Sequence, residues 1–409
     1  MSFRARFRRW FYHRAMRLFM LFHSVLLSLA KAVGRLRGTK PKAVCPEILL
    51  TGRFESDNWI ISHLEPLAAS RMNSRVWMVS TNPVPKIPNV SVIYPPGWLI
   101  RMVGRTAARL LVFVLAGLRK RPGIVGGFNM KPNAMAAAVV ARLIGSRALY
   151  FCVGGPTEIL EGGVWGEAGP FPKMETPDLV VERRFLRTVG ECDLVVTMGT
   201  RAVRFFREKG INTNLQVLSG GIRDERFCPS DVEPSVDLVF VGRLAPVKRI
   251  DILLEAVRLT RDMIGDIRAV IVGSGELRES LEEVARKLGV DDCVVFAGHQ
   301  KNVRQWLRKA KVFMLTSRTE GLSLALMEAM MCGLPGIVPR VGDLPDLVED
   351  GVNGYLVEGH SPAKFAARMR ELLANDEKRA AFSRAARSAA MRYETQHAVR
   401  RWDEVLSGG

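Results

Sequence analysis

Two runs of short apolar segments alternating with helical stretches, separated by one aperiodic break, constrain this 409-residue chain more than any other feature. In the first run EILLTG (47–52), VWMVS (76–80), VSVIY (90–94), GIVGG (123–127), RALYFCV (147–153) and DLVVTMG (193–199) have the length and β-branched content of buried strands. Helical patterns such as 133–144 and 200–209 lie between them. Asp57 reads as the N-cap of a helix through NWIISHLEPLAAS, with Pro66 predicting a kink or a shortened end. The break is SGGIRDERFCPSDVEPSVD (219–237), rich in Gly, Pro, Asp and Ser, and it reads as a linker. The alternation then restarts with DLVFVG (237–242), AVIVG (269–273), CVVFAG (293–298), VFMLTS (312–317), GIVP (336–339) and GYLV (354–357). Helices are predicted at 248–260, 276–288, 302–309, 321–332 and 362–374, followed by a charged helical tail from Glu377 to Leu406. Strand–helix alternation builds parallel, doubly wound sheets, so the expectation is an α/β chain of two facing Rossmann-like domains. Their bounds are 43–222 and 223–390, with a segment 1–42 ahead of them and a C-terminal helix, 391–409, crossing back to the first domain. Ligands of such sheets bind beyond the carboxyl ends of the strands, so a cleft between the domains is the expected site.

Charge divides the chain differently. There are 60 Lys and Arg against 41 Asp and Glu, a net charge of +19, and residues 1–150 hold 24 basic residues but only 4 acidic ones. Such asymmetry suggests docking onto something anionic. Residues 1–42 carry eleven basic residues, no acidic one, and aromatics that include Trp10, Phe11 and Phe22. No cleavage site follows the apolar run of a signal peptide, and only thirteen residues separate Arg17 from Lys31, too few to span a bilayer. A basic amphipathic helix in the membrane interface fits best; a disordered basic tail competes with it. Residues 98–121 repeat the theme, with Arg101, Arg105 and Arg109 every fourth residue along one helical face; an ordinary packed helix competes here. An anionic membrane surface is the expected partner, with peripheral attachment to its cytoplasmic face. No signature of nucleic-acid recognition accompanies the charge. The six cysteines (Cys45, Cys152, Cys192, Cys228, Cys293 and Cys332) include no C-x-x-C pair, so neither a disulfide scaffold nor a zinc site is expected.

The chemistry concentrates in the second run. VFVGRLAPVKRIDILLEAV (239–257) is a strand, a glycine turn and a helix, with Arg243 and Lys248 bracketing the turn. Two fixed cations at a strand's carboxyl edge suit a diphosphate; two ordinary surface cations are the alternative. TEGLSLALMEAMMCGLP (319–335) places Glu320 in a loop and Glu328 inside an apolar helix. A carboxylate there needs donors, which ribose hydroxyls or a structural salt bridge would supply. The N–H groups at Leu322, Ser323 and Leu324 would face a phosphate.

These residues resemble the retaining glycosyltransferases of family 4, whose architecture is GT-B. The matches are V-G-R-L-x-P-x-K (241–248), V-G-x-G (272–275), the E-x7-E pair Glu320 and Glu328, M-C-G-x-P (331–335) and D-G-x-N-G (350–354). VLSGGIRDERFCP (217–229) is similar to the family's crossover segment. The resemblance implies that Gly242, Arg243 and Lys248 hold the donor diphosphate, and that Glu328 binds the ribose. It also implies that Glu320 contacts the sugar, that Gly321, Leu322, Ser323 and Leu324 line the phosphate and sugar edge, and that Gly273 lies by the nucleotide. No metal cofactor is implied. The chain departs from the pattern at Ser323, where glycine is usual, and in lacking the first-domain histidine. LYFCVGGPTEILEGGVWGE (149–167) stands there instead, and Gly52, Gly154, Gly155 and Glu158 are acceptor-side candidates, with Glu158 orienting the acceptor hydroxyl. His63 and His299 read as structural or peripheral. The implied function is transfer of a sugar from a nucleotide-diphosphate sugar to a lipid-linked glycan or glycolipid in surface-polysaccharide assembly. A nucleotide-sugar epimerase and a non-catalytic basic scaffold are the alternatives.

Overall fold

The computed structural model describes residues 3–37, 45–54, 56–164, 176–230 and 232–408. They form two units, one of residues 1–221 with 396–409 and the other of residues 222–395. In the first, seven parallel strands stand in the order β3-β2-β1-β4-β5-β6-β7. These are β1 (Glu47–Thr51), β2 (Arg75–Val79), β3 (Val90–Ile93), β4 (Ile124–Phe128), β5 (Arg147–Cys152), β6 (Leu194–Thr197) and β7 (Asn214–Val217). The order reverses between β1 and β4, which pair with Leu49 opposite Val125. Sequence analysis misses β7, a half-buried edge strand whose Asn214 and Gln216 break the apolar pattern. The helices are α1 (Phe3–Arg37), α2 (Asp57–Ala69), α3 (Gly97–Lys120), α4 (Met135–Ile144), α5 (Leu179–Gly190) and α6 (Thr200–Glu208).

Two local expectations change. Ser56, not Asp57, occupies the N-cap of α2, and Asp57 lies in its first turn. Pro66 sits inside α2 without ending it. A proline there leaves the carbonyl four residues earlier without its helical donor. That carbonyl belongs to Ser62, and the Gly221 N–H fills the gap at 2.7 Å.

The N-terminal helix is a built part of this unit. α1 lies against α4 and α5. Met16, Met20, His23, Leu27 and Ala30 are buried at helical spacing. Asp178, the N-cap of α5, accepts from Arg17 Nε (2.8 Å) and pairs with His13 Nδ1 (2.9 Å), and Lys31 pairs with Glu191 at 2.6 Å. Gly34 is required where α1 passes α4, because a Cβ there would meet the Arg142 carbonyl oxygen at 2.1 Å. The outward face is apolar too: Trp10, Phe11, Leu18, Leu21, Phe22, Val25 and Leu29 are exposed. Residues 10–36 are one helix long and apolar enough to cross a membrane by length and composition alone, contrary to the count of thirteen residues. That count stopped at Lys31, whose charge is paired at the side of the helix.

The arginine stripe of α3 is also corrected. Gly104 adopts φ 80° and ψ 161° and interrupts the helix, so Arg101 and Arg105 share no continuous face. Arg109 is buried, 3% exposed, on the side that carries Phe113 and Gly117.

The second unit has six parallel strands in the order β10-β9-β8-β11-β12-β13. They are β8 (Val236–Val241), β9 (Ala269–Val272), β10 (Val294–Gly298), β11 (Ala310–Met314), β12 (Gly336–Pro339) and β13 (Gly354–Val357). Its helices are α7 (Ile250–Ile264), α8 (Arg278–Leu288), α9 (Arg304–Leu307), α10 (Leu324–Met331), α11 (Pro362–Leu373) and α12 (Asp376–Ala390). The predicted single tail helix is two: α12 ends before Met391–Tyr393, where Ile222 pairs with Glu394, and α13 (Thr395–Ser407) follows. α13 packs in the first unit, with Trp402 buried near Phe151 and Asp403 Oδ1 accepting from Ser70 Oγ (2.7 Å) and the Arg71 N–H (2.9 Å).

Candidate functional site

The strand order of the second unit reverses between β8 and β11, and the loops leaving these two strands carry the candidate donor residues. Gly242 and Arg243 follow β8 directly, and Lys248 ends a short 3-10 turn, Pro246–Lys248. Glu320 follows β11. Lys248 Nζ donates to Glu320 Oε1 at 2.6 Å, and Ser317 Oγ donates to the same oxygen at 2.5 Å. The two loops are stitched together by the Arg318 N–H on the Val247 carbonyl (2.8 Å) and by Thr316 Oγ1 on the Lys248 and Arg249 carbonyls (3.0 and 2.8 Å). A cation and a carboxylate separated by 72 residues in sequence thus meet at the switch point of the sheet, where such folds take ligands.

Glycines permit the close approach of neighbouring loops. At Gly273, φ 148°, a Cβ would lie 1.8 Å from the Gly242 carbonyl oxygen, so the loops after β8 and β9 touch through their backbones. At Gly342, φ 58°, a Cβ would lie 1.8 Å from the Glu320 carbonyl oxygen. Gly321 and Leu322 lead into α10, whose N-cap is Ser323; its Oγ accepts from the Leu326 N–H at 3.4 Å. The Ser323 hydroxyl therefore has a structural task that glycine could not perform. Leu324 opens the helix, and Glu328 is buried one turn on, engaged by its surroundings. Burial first, and then the Glu328 carboxylate, push the nearby Cys332 thiol up to about 12. Sequence reasoning missed Ser317 and His360, whose Nε2 lies 3.0 Å from the Ser317 carbonyl oxygen; neither belongs to a charged pattern that would have marked it.

In the first unit the candidates behave differently. Glu158 is buried, and four donors fill its two oxygens. Gly154 N (2.6 Å) and Asn129 Nδ2 (3.2 Å) meet Oε1, while Met130 N (2.6 Å) and Tyr150 OH (2.8 Å) meet Oε2. Burial pushes the carboxyl up and the hydrogen bonds pull it back. Glu158 thus fastens the loops after β4 and β5, with no oxygen left to orient an acceptor hydroxyl, and this corrects its expected role. Gly154 is one of its donors, and Gly155 takes φ 66° beside it. Residues 165–167 of the 149–167 segment lie outside the described residues. Gly52 leaves β1 against Phe54 and Phe128, in an aromatic group that includes Trp59, stacked on His63 at 4.1 Å. Burial lowers His63 to about 4, and its Nε2 faces Met198 Sδ, so it is a neutral core histidine. Among the described residues no group of three or more His, Cys, Asp or Glu side chains could hold a metal ion.

Two parallel Rossmann-type sheets in series, the second with its cation–carboxylate pair at the switch point, define the GT-B class of fold. Solved structures agree: the chain aligns with Anabaena Alr3699/HepE in complex with UDP-glucose at TM-score 0.70 and 17% identity, covering 89% of this chain and all of that one. It aligns with the lipopolysaccharide outer core galactosyltransferase WaaB at TM-score 0.62 and 17% identity, over 88% and 99% of the two chains. Residues 223–389, within the second unit, match the family model of the glycosyl transferases group 1. A D-inositol 3-phosphate glycosyltransferase of Streptomyces bingchenggensis is 35% identical over 211 residues, 46% of each chain. The namesake from Acidothermus cellulolyticus is 32% identical over 251 residues, 54% of each. The chain thus spans about half the length of the relatives it matches.

Proposed function

We propose that the protein is a retaining glycosyltransferase that moves a sugar from a nucleotide-diphosphate sugar to an acceptor hydroxyl. The observation that carries this reading is the meeting of Lys248 and Glu320 at the switch point, with Arg243 at the end of the adjoining strand. In the free protein Lys248 and Glu320 neutralise each other. A bound donor would replace that pairing, with its diphosphate on Lys248 and Arg243 and its sugar on Glu320. The leaving diphosphate gains negative charge as the glycosidic bond breaks, and fixed cations stabilise it most in the transition state. In this reading those cations, together with the amino end of α10, meet the charge that a divalent ion would otherwise meet. Glu328 holds the ribose. Structural neighbours with UDP and UDP-glucose bound support a uridine nucleotide as the first donor to test.

The acceptor in this proposal is a lipid-linked glycan or glycolipid, and the enzyme attaches to the cytoplasmic face of a membrane. The support is the outward apolar face of α1, together with Trp98, Met102, Leu111 and Leu115 exposed on α3, all in the strongly basic third of the chain. Apolar side chains set among cations suit an anionic lipid surface.

The test is kinetic. Arg243→Ala and Lys248→Ala are each expected to lower turnover at least about a hundredfold, as loss of a transition-state electrostatic donor does. The melting temperature should hold, since neither side chain is in the core. Near-wild-type turnover in both variants would remove the assignment. A panel of nucleotide sugars, read by thermal stabilisation, identifies the donor; a ligand at a hundred times its Kd adds about 2.7 kcal/mol.

A further inference from the structure

Glu320 carries two donors on one oxygen and none on the other. Lys248 Nζ and Ser317 Oγ both donate to Oε1, at 2.6 and 2.5 Å, while Oε2 makes no hydrogen bond among the described residues. The two donors differ in what a ligand can do to them. Lys248 is a compact charge on a flexible stem, with 18% of its side chain exposed, so an arriving anion can draw it away. Ser317 is completely buried and stands three residues before Glu320 in the same loop, so it cannot follow. Its place is fixed from outside that loop. His360 lies between β13 and Ser361, the N-cap of α11, and its Nε2 is 3.0 Å from the Ser317 carbonyl oxygen. A carbonyl only accepts, so Nε2 carries a proton and donates it. From the loop after β12, Gly342 brings its backbone against the Glu320 carbonyl. Three loops thus converge on one carboxylate, and one of its two donors is mobile.

When Lys248 turns to a diphosphate, Glu320 loses its counter-charge with only 10% of its side chain exposed. A carboxylate left there without donors is costly. A hydroxyl bond to an ionised carboxylate is stronger than one between neutral groups, and it counts for more once it is the remaining bond. It also decides which oxygen is used. With Oε1 still held, Oε2 is the oxygen open to a sugar hydroxyl.

We propose that Ser317, itself held by His360, is a positioning residue that retains Glu320 when the donor diphosphate takes Lys248 from it. The inference rests on the glycosyltransferase reading and deepens it: diphosphate binding and the presentation of Glu320 to the sugar are linked through a single carboxylate oxygen.

The probe is inorganic pyrophosphate, which shares its charged group with every nucleotide-diphosphate sugar, and calorimetric titration of the full chain gives its Kd. Ser317→Ala is expected to weaken pyrophosphate about tenfold, the equivalent of one charge-assisted contact, because Glu320 then gives up Lys248 with nothing to replace it. In the Glu320→Gln background the same substitution should change Kd by less than about twofold, since no carboxylate remains to be held. A hydroxyl that merely supports the loop would weaken binding equally in both backgrounds, and that result overturns the proposal. So does a Ser317→Ala variant that binds like the wild type, or a wild-type chain that does not bind pyrophosphate. His360→Phe should weaken binding about threefold, as loss of a neutral hydrogen bond does, again only where Glu320 is intact. His360→Gln keeps a donor and should restore it. Should Ser317→Ala fail to fold, the two His360 variants carry the test, and equal binding by both overturns the proposal. Nucleotide-sugar binding by the wild-type chain is measured in parallel. Its presence without the dependence on Glu320 fails this inference alone; the expected pyrophosphate pattern without any nucleotide-sugar binding fails the glycosyltransferase reading alone.

Discussion

At the residue scale the site is governed by which charges are already partnered. Glu320 is held by Lys248 and Ser317, so Glu320→Gln removes the group that competes with a donor diphosphate for Lys248. The expected outcome is a large loss of turnover with nucleotide-diphosphate affinity unchanged or tighter, read from kcat and a separate Kd. Weaker nucleotide binding in step with lost turnover would contradict it. Glu328→Gln should do the reverse, weakening nucleotide binding with a smaller effect on kcat, because its proposed partners are ribose hydroxyls. His63 supplies a pH dependence. Its folded pKa of about 4 lies below the ordinary value of 6.5. Its contribution to stability is therefore complete above pH 6.5, where both states are neutral, and is lost as the pH falls toward 4 and only the unfolded chain takes the proton. The shift corresponds to about 3 kcal/mol. Denaturation midpoints for His63→Gln should vary less between pH 6.5 and pH 4 than those of the wild type, and parallel curves would rule out this source.

At the scale of elements, loops carry the site and strands only present it. Gly342→Ala would place a methyl group on the Glu320 carbonyl and Gly273→Ala one on the Gly242 carbonyl, both at glycine-favouring φ. Each is expected to abolish nucleotide binding by parting two loops while the strands beneath remain, seen as lost ligand stabilisation with the far-ultraviolet dichroism retained. Glu158→Gln replaces one acceptor oxygen by a donor where two N–H or O–H groups already point. Leaving them unpaired should cost roughly 2–4 kcal/mol in the first unit, measured by denaturant unfolding. The strands of both sheets were legible because buried parallel strands are short unbroken apolar runs bounded by glycine. β7 was not, since an edge strand needs no such run. The motif residues after β8 and β11 were legible as well, while the sequence concealed that Lys248 and Glu320 bond to each other. Arg109 was misread from its four-residue spacing with Arg105. Phe113 and Gly117 continue the same spacing and mark that face as the inward one, whereas the reversal of the backbone at Gly104 has no such sign.

At the scale of the whole molecule the N-terminal third joins two tasks that the charge pattern alone merged. One face of α1 closes the core over α4 and α5, and the other presents apolar side chains outward. Removing residues 1–42 would uncover α4, so outward substitutions are the sharper test of membrane docking. Leu18→Glu, Phe22→Glu and Leu29→Glu together should abolish co-sedimentation with anionic vesicles while leaving the thermal melt near that of the wild type. Wild-type binding should weaken as salt rises, because charges near the surface are screened over about 8–10 Å at 0.1–0.15 M salt. Binding that survives the triple substitution would assign the face to another partner. The return of α13 to the first unit has a different consequence, in the order of biosynthesis. Residues 222–395 are contiguous, so the second unit is complete once it has been made. The first unit begins emerging earlier yet waits for Trp402 and Asp403, whose places beside Phe151 and Ser70 stay vacant while more than 170 further residues are translated. At ordinary elongation rates that interval lasts on the order of ten seconds or more. The half of the protein born first is therefore finished last, and its unfinished edge is what a nascent-chain chaperone would find exposed.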